Sequence, residues 1–137
     1  MLVYAHRQED EQQARVAEWM KRHVNGEGIV LFTPQTVSGF LRVVTHPRVF
    51  ANPSPLELAT RFIDGLLARQ NTVVVESGPR YWELISRLLV DADARGDLVP
   101  DASLAATAIE CGATLATCDR DFARFEALDW VDPRLGE

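Results

Sequence analysis

The stretch that decides the fold is Asp101-Ala-Ser-Leu-Ala-Ala-Thr-Ala-Ile-Glu-Cys-Gly-Ala-Thr-Leu-Ala-Thr-Cys-Asp-Arg-Asp-Phe122. It opens on an Asp suited to cap a helix, and the helix stops at Gly112. A short apolar strand follows over residues 113–116, then an acidic turn holding Asp119 and Asp121. In an α/β fold the strand ends lie side by side, and ligands bind at their carboxyl edge. Asp101, Asp119 and Asp121 can therefore converge although they lie apart in sequence. Clustered carboxylates repel one another unless a proton or a cation intervenes. Hard oxygen donors of this kind suit Mg²⁺ or Mn²⁺. The chemistry indicated is metal-assisted phosphodiester cleavage, where an ion acidifies its water and stabilises charge on the phosphate.

Outward from this stretch, strand and helix patterns alternate. Residues 2–5 read as the end of an apolar strand, and residues 9–24 as a charged amphipathic helix with Ala14, Val16, Ala17, Trp19 and Met20 on its apolar side. Asn25-Gly26-Glu27-Gly28 breaks that helix. Residues 29–32 form a buried strand, and Thr33-Pro34 opens a helix that ends at His46-Pro47. A proline-rich loop leads to a helix over residues 56–69, with Leu58, Phe62, Leu66 and Leu67 inward. A β-branched strand spans residues 72–75. The next helix, residues 79–94, has Tyr81, Trp82, Leu84, Ile85, Leu88 and Leu89 on its apolar face. Residues 120–125 form a helical turn, and residues 128–131 a last edge strand. The alternation predicts an α/β fold of three layers, α/β/α, around a central and mostly parallel sheet.

A chain of 137 residues fits one domain, and 47% apolar residues suffice for a core. No apolar run approaches the ~20 residues of a membrane span, and the start is charged too soon for a secretory signal. Cys111 and Cys118 lack CxxC spacing and are expected to be reduced, in or near the core of a cytoplasmic protein. His6, His23 and His46 lack zinc-ligand spacing. A net charge of −6 argues against a protein that coats nucleic acid, but not against an enzyme meeting RNA at one point through a metal. A receiver domain, which needs an early acidic pair and a late lysine, is excluded because Lys21 is the only lysine.

Each candidate also has a plain structural role. Asp101 would cap its helix in any case, and a helix N-terminus favours the ionised carboxylate a metal needs. Asp119 is the preferred second ligand, with Asp121 as a further ligand or a support of the loop. Asp97 belongs to the turn Arg95-Gly96-Asp97 and is close enough to serve as an outer acid. Glu110 lies over two turns along and reads as a surface or salt-bridge residue. Asp91 and Asp93 are solvated acids at a helix end. Arg42, Arg48, Arg80 and Arg120 are candidate phosphate contacts, Arg42 and Arg120 foremost, and each also suits a solvated surface. The three tryptophans are assigned to the core, and His6 to a loop or surface rather than to general-base duty.

Three blocks together resemble a PIN domain, specifically a VapC-type toxin of bacterial toxin–antitoxin pairs in its mycobacterial-type branch. They are Leu2-Val-Tyr-Ala-His-Arg7, Gly39-Phe-Leu-Arg-Val-Val-Thr-His-Pro-Arg-Val-Phe50, and the stretch from Gly96 to Phe122. The resemblance covers nearly the whole chain, 1–137, as a single domain. It implies a Mg²⁺- or Mn²⁺-dependent endoribonuclease acting on RNA of the tRNA or rRNA class. It further implies a homodimer neutralised by a small VapB-type antitoxin whose tail occupies the active-site groove. Asp101 and Asp119 would hold the metal and Asp121 would assist.

Two departures stand out. PIN domains carry a first Asp at the end of the first strand, shortly before the Val-Leu-Val-Tyr stretch on which Met1 falls. The expectation is an incomplete first strand, with the true start upstream and Met1 an internal GTG valine codon. An upstream reading frame lacking that Asp would defeat it. Gly39 also stands where many PIN domains have a helix Glu. Both departures support an alternative: a catalytically impaired protein that still binds its antitoxin as an interaction module.

Overall fold

The computed structural model describes residues 1–135 and divides into two compact units, residues 1–75 and residues 76–135. The first unit contains helices α1 (Leu2–Arg7) and α2 (Glu11–Val24), strand β1 (Val30–Phe32), helices α3 (Pro34–Val44) and α4 (Leu56–Leu67), and strand β2 (Thr72–Val74). The second contains α5 (Tyr81–Asp91), α6 (Leu98–Glu110), β3 (Leu115–Ala116), a 3₁₀ turn (Arg120–Arg124) and β4 (Trp130–Val131).

Each unit holds one strand pair, and both pairs are parallel, as the alternating pattern predicted. β1 pairs with β2 in the register Val30–Thr72, Leu31–Val73 and Phe32–Val74. β3 pairs with β4 in the register Leu115–Trp130 and Ala116–Val131. Helices cross from one strand of a pair to the next in the first unit, as parallel pairing requires.

Local chemistry sets the helix starts. Asp10 caps α2 by accepting from the Gln13 N–H at 2.8 Å, while Gln13 Oε1 accepts from the Glu9 N–H at 2.8 Å. Thr33 and Thr36 form a reciprocal capping box at α3, with Pro34 in the first turn. In the second unit α5 packs on α6, whose buried face is Ala102, Ala105, Ala106 and Ala108. Alanines let two helix backbones approach closely. Leu84, Ile85 and Leu88 of α5 fill the core beside them, with Phe122, Phe125 and Leu128.

Several expectations need correction. Residues 2–5 are helical: Leu2 and Ala5 are the buried positions, a spacing of three that belongs to a helix, and so short an apolar run does not by itself tell strand from helix. Leu58 is exposed, because Ala59, Ile63 and Leu66 form the buried stripe of α4. Ala14 is likewise exposed on α2. Trp82 is 74% exposed, because α5 buries the stripe Leu84, Ile85 and Leu88 instead. Cys111 is exposed at the end of α6, and only Cys118 is half-buried.

Candidate active site

α6 begins four residues earlier than its sequence suggested. Asp97 occupies the N-cap position and Asp101 lies within the first turn. The helix accommodates Pro100 there because first-turn N–H groups have no intrahelical partner to lose. Asp101 thus keeps its place at the positive end of the helix dipole without serving as the cap.

Beyond β3 the chain turns sharply. Asp119 is extended and caps the 3₁₀ turn, its Oδ1 accepting from the Asp121 N–H at 2.9 Å. Asp121 is exposed, with Oδ1 3.7 Å from Arg124 Nε. The structure brings these acids within electrostatic reach of Asp101. Burial pushes the Asp101 carboxyl above the usual carboxylate range, and the negative charges of Asp119, Asp121 and Asp97 push it further the same way. A carboxyl held up by its neighbours' repulsion is relieved by a bound cation.

No three His, Cys, Asp or Glu side chains among the described residues form a ready-made metal cage. Mg²⁺ does not need one: it keeps several waters and binds through one or two carboxylates plus substrate phosphate oxygens. The donor set of Asp101 and Asp119 fits that requirement.

Arg120 opens the 3₁₀ turn, is exposed, and lends positive potential to Asp132. Arg42 is exposed in the last turn of α3, within the first unit. Arg80 lies 3.4 Å from Glu83, a surface pair. His6 sits on α1, where it packs edge-on against Phe40 and Phe62, and its Nε2 lies 3.0 Å from Ser54 Oγ. Its environment is structural.

Two features escaped the sequence. Glu110 is a backbone cap and, among the described residues, has no salt-bridge partner: Oε2 accepts from the Gly78 N–H at 2.8 Å and Oε1 from the Arg80 N–H at 2.7 Å, at the start of α5. On the same helix Thr107 Oγ1 lies 3.0 Å from Ser77 Oγ, and Ser103 Oγ 2.8 Å from Tyr81 Oη. Ser103, Thr107 and Glu110 thus tie the start of α5 to the helix that carries Asp101. Asp132 is buried and paired with Arg134, whose Nη2 also donates to the Cys118 carbonyl at 2.7 Å. An Asp two residues before an Arg, directly after a strand, was the available signal for the local pair. Nothing in the sequence announced the bond to Cys118.

A profile of the PIN domain family matches residues 1–128. The chain belongs to the PIN domain family. This PIN domain is 37% identical over 137 residues to Ribonuclease VapC43 of Mycobacterium tuberculosis, covering all of this chain and 93% of the relative. It is 34% identical over 135 residues to Ribonuclease VapC31 of the same organism, covering 98% of this chain and 95% of the relative. Ribonuclease VapC33, also from that organism, is 35% identical over 133 residues, with 97% of this chain and 93% of the relative covered. The similarity places this PIN domain in the VapC branch, as the three sequence blocks implied.

Proposed function

We propose that this PIN domain is an endoribonuclease toxin that hydrolyses RNA phosphodiester bonds with Mg²⁺ or Mn²⁺. The observation that carries the proposal is that Asp119 and Asp121 lie near enough to Asp101 for their charges to add to burial in raising its carboxyl. Relatives named as ribonucleases over nearly their full length support the same activity.

Asp101 and Asp119 would hold the ion, which when bound supplies Lewis-acid stabilisation of phosphate charge and an acidified water. Asp119 spends one carboxylate oxygen on capping the 3₁₀ turn, which fixes its side chain before any ligand arrives. Asp121 sets the turn through its N–H and adds negative potential beside Asp101. Arg120 and Arg42 are the residues proposed to hold the RNA backbone, as planar guanidiniums suit phosphate oxygens.

The remaining parts of the proposal rest on membership of the VapC branch. They are a single working domain, a homodimer in the cytoplasm, a substrate of the tRNA or rRNA class, and control by a VapB-type antitoxin. No helix among the described residues is long and apolar enough to cross a membrane.

A second reading has its own observations. Position 39 offers no carboxylate, and no three-ligand group stands ready among the described residues. On that reading the chain binds antitoxin without cutting RNA. Incubation of total tRNA and rRNA with the purified protein in Mn²⁺ or in EDTA separates the two. Cleavage in Mn²⁺ alone supports the nuclease; intact RNA alongside tight antitoxin binding supports the interaction module.

A further inference from the structure

We propose that Arg134, seated on Asp132, is a positioning residue for Asp119, acting on the peptide bond that precedes it. The proposal rests on the assignment of Asp119 to the metal site.

The Asp132–Arg134 pair is unusual in its placement. The Asp132 side chain is only 4% exposed and that of Arg134 22%. Asp132 Oδ1 accepts from the Arg134 N–H at 3.0 Å and from Nε at 2.9 Å; Oδ2 accepts from Nη2 at 2.6 Å and from Nε at 3.1 Å. These bonds are local, closed between residues two apart. They fix the guanidinium but join nothing distant. A bond that reaches further runs from Nη2 to the Cys118 carbonyl, sixteen residues away in sequence.

Cys118 and Asp119 share a peptide unit. Its carbonyl is held by Arg134 at 2.7 Å, and its N–H donates to Thr117 Oγ1 at 3.1 Å. Both polar groups of this one peptide plane are therefore engaged by side chains. Thr117 is itself buried and anchored, its N–H donating to the Val131 carbonyl at 2.9 Å as the β3–β4 pairing ends. A peptide plane fixed on both edges fixes the N–Cα bond of the next residue, about which only one rotation, φ, then sets the direction of its side chain. That residue is Asp119, whose φ of −94° is set where it caps the 3₁₀ turn and whose carboxylate is held by the Asp121 N–H. Asp132 aims Arg134, and Arg134 neutralises a carboxylate that would otherwise be buried alone. Supports of this kind behind a metal ligand are worth about 10–100-fold in metal affinity or activity.

The test uses the whole protein and four variants: Arg134→Gln, Thr117→Val, Thr117→Ser and Asp119→Asn. Two readouts are taken, Mn²⁺ affinity by calorimetry and the hydrogen-exchange rate of the Asp119 amide in metal-free protein. Arg134→Gln and Thr117→Val should each speed Asp119 exchange and weaken Mn²⁺ binding about tenfold or more. Thr117→Ser, which keeps the hydroxyl, should behave as wild type. Adding Arg134→Gln to Asp119→Asn should cost little beyond Asp119→Asn alone, because Arg134 acts through Asp119. Weakened binding in Asp119→Asn with unchanged affinity in Arg134→Gln, or full additivity of the two, would overturn the proposal alone. Unchanged affinity in Asp119→Asn would overturn the ligand assignment, and the proposal with it. Should Arg134→Gln not fold, Thr117→Val carries the test with the ion pair intact, and unchanged Mn²⁺ affinity there would overturn it.

Discussion

The Glu110 carboxylate fills the space that a Cβ on Gly78 would occupy, with Oε1 2.6 Å from that position. The close approach lets Glu110 accept the Gly78 and Arg80 N–H groups ahead of α5, a helix whose own N-cap residue offers no side-chain bond. A carboxylate at a helix N-terminus also meets the favourable end of its dipole. Glu110→Ala should therefore destabilise the protein by about 1–2 kcal/mol, the range for losing a cap. Gly78→Ala should cost a similar amount by displacing the carboxylate, and the two losses should not add, since both break one contact. Urea denaturation of the two single variants and the double variant checks this.

His6 makes stability depend on pH with a defined sign. Burial, and then the charge of neighbouring Arg7, lowers its pKa from the ordinary value of 6.5. The folded state thus favours the neutral ring, packed between Phe40 and Phe62. The stabilisation is present above the unfolded pKa and is lost as the pH falls through the lower, folded one. The urea midpoint of the wild type should fall from about pH 7 towards about pH 5. His6→Gln, lower at neutral pH, should show a flatter profile over that range.

Gly39 lies in the interior of α3, and a Cβ placed there meets nothing within 4 Å. The glycine is therefore not required by packing. Gly39→Ala should raise stability by about 0.5–1 kcal/mol through helix propensity and lower unfolded-state entropy. Loss of stability in that variant would show that something other than local backbone preference selects glycine here.

The tryptophans should report separately on their surroundings. Trp19 is buried and stacks on His23 with ring centroids 3.7 Å apart, Trp130 is half-buried, and Trp82 stands out in solvent. Trp82→Phe should remove most of the fluorescence that acrylamide quenches readily. It should change stability by less than about 0.5 kcal/mol, as surface substitutions do.

Periodicity was enough to find α2 to α6 and both strand pairs, because amphipathic stripes and β-branched runs are local properties. It failed at residues 2–5, where four apolar residues carry no period long enough to separate strand from helix. It failed again at Trp82, since a large apolar side chain was counted toward a stripe that Leu84, Ile85 and Leu88 complete without it. Asp101, Asp119 and Asp121 were singled out by residue type and by their place at the ends of a helix and a strand, and the fold sets Asp119 and Asp121 near enough to Asp101 for their charges to act on it. Asp101 was mistaken for the cap because its residue type suits one, whereas the helix starts at Leu98 and its first turn tolerates Pro100. Arg134 and Glu110 were not legible in their real roles. Their decisive partners, Cys118 and Gly78, are backbone groups sixteen and thirty-two residues away, and a backbone acceptor or donor leaves no mark on side-chain pattern.

The most direct measurement is the rate of RNA cleavage in saturating Mn²⁺ by the wild type and by Asp101→Asn, with folding of both verified by circular dichroism. Asn keeps the shape of the side chain and removes the charge on which the other acids converge. The wild type should cut RNA, EDTA should stop it, and Asp101→Asn should be slower by at least about 100-fold, the upper range seen when only the support of a metal ligand is lost. Cleavage by Asp101→Asn at the wild-type rate would contradict a nuclease site built on Asp101, Asp119 and Asp121.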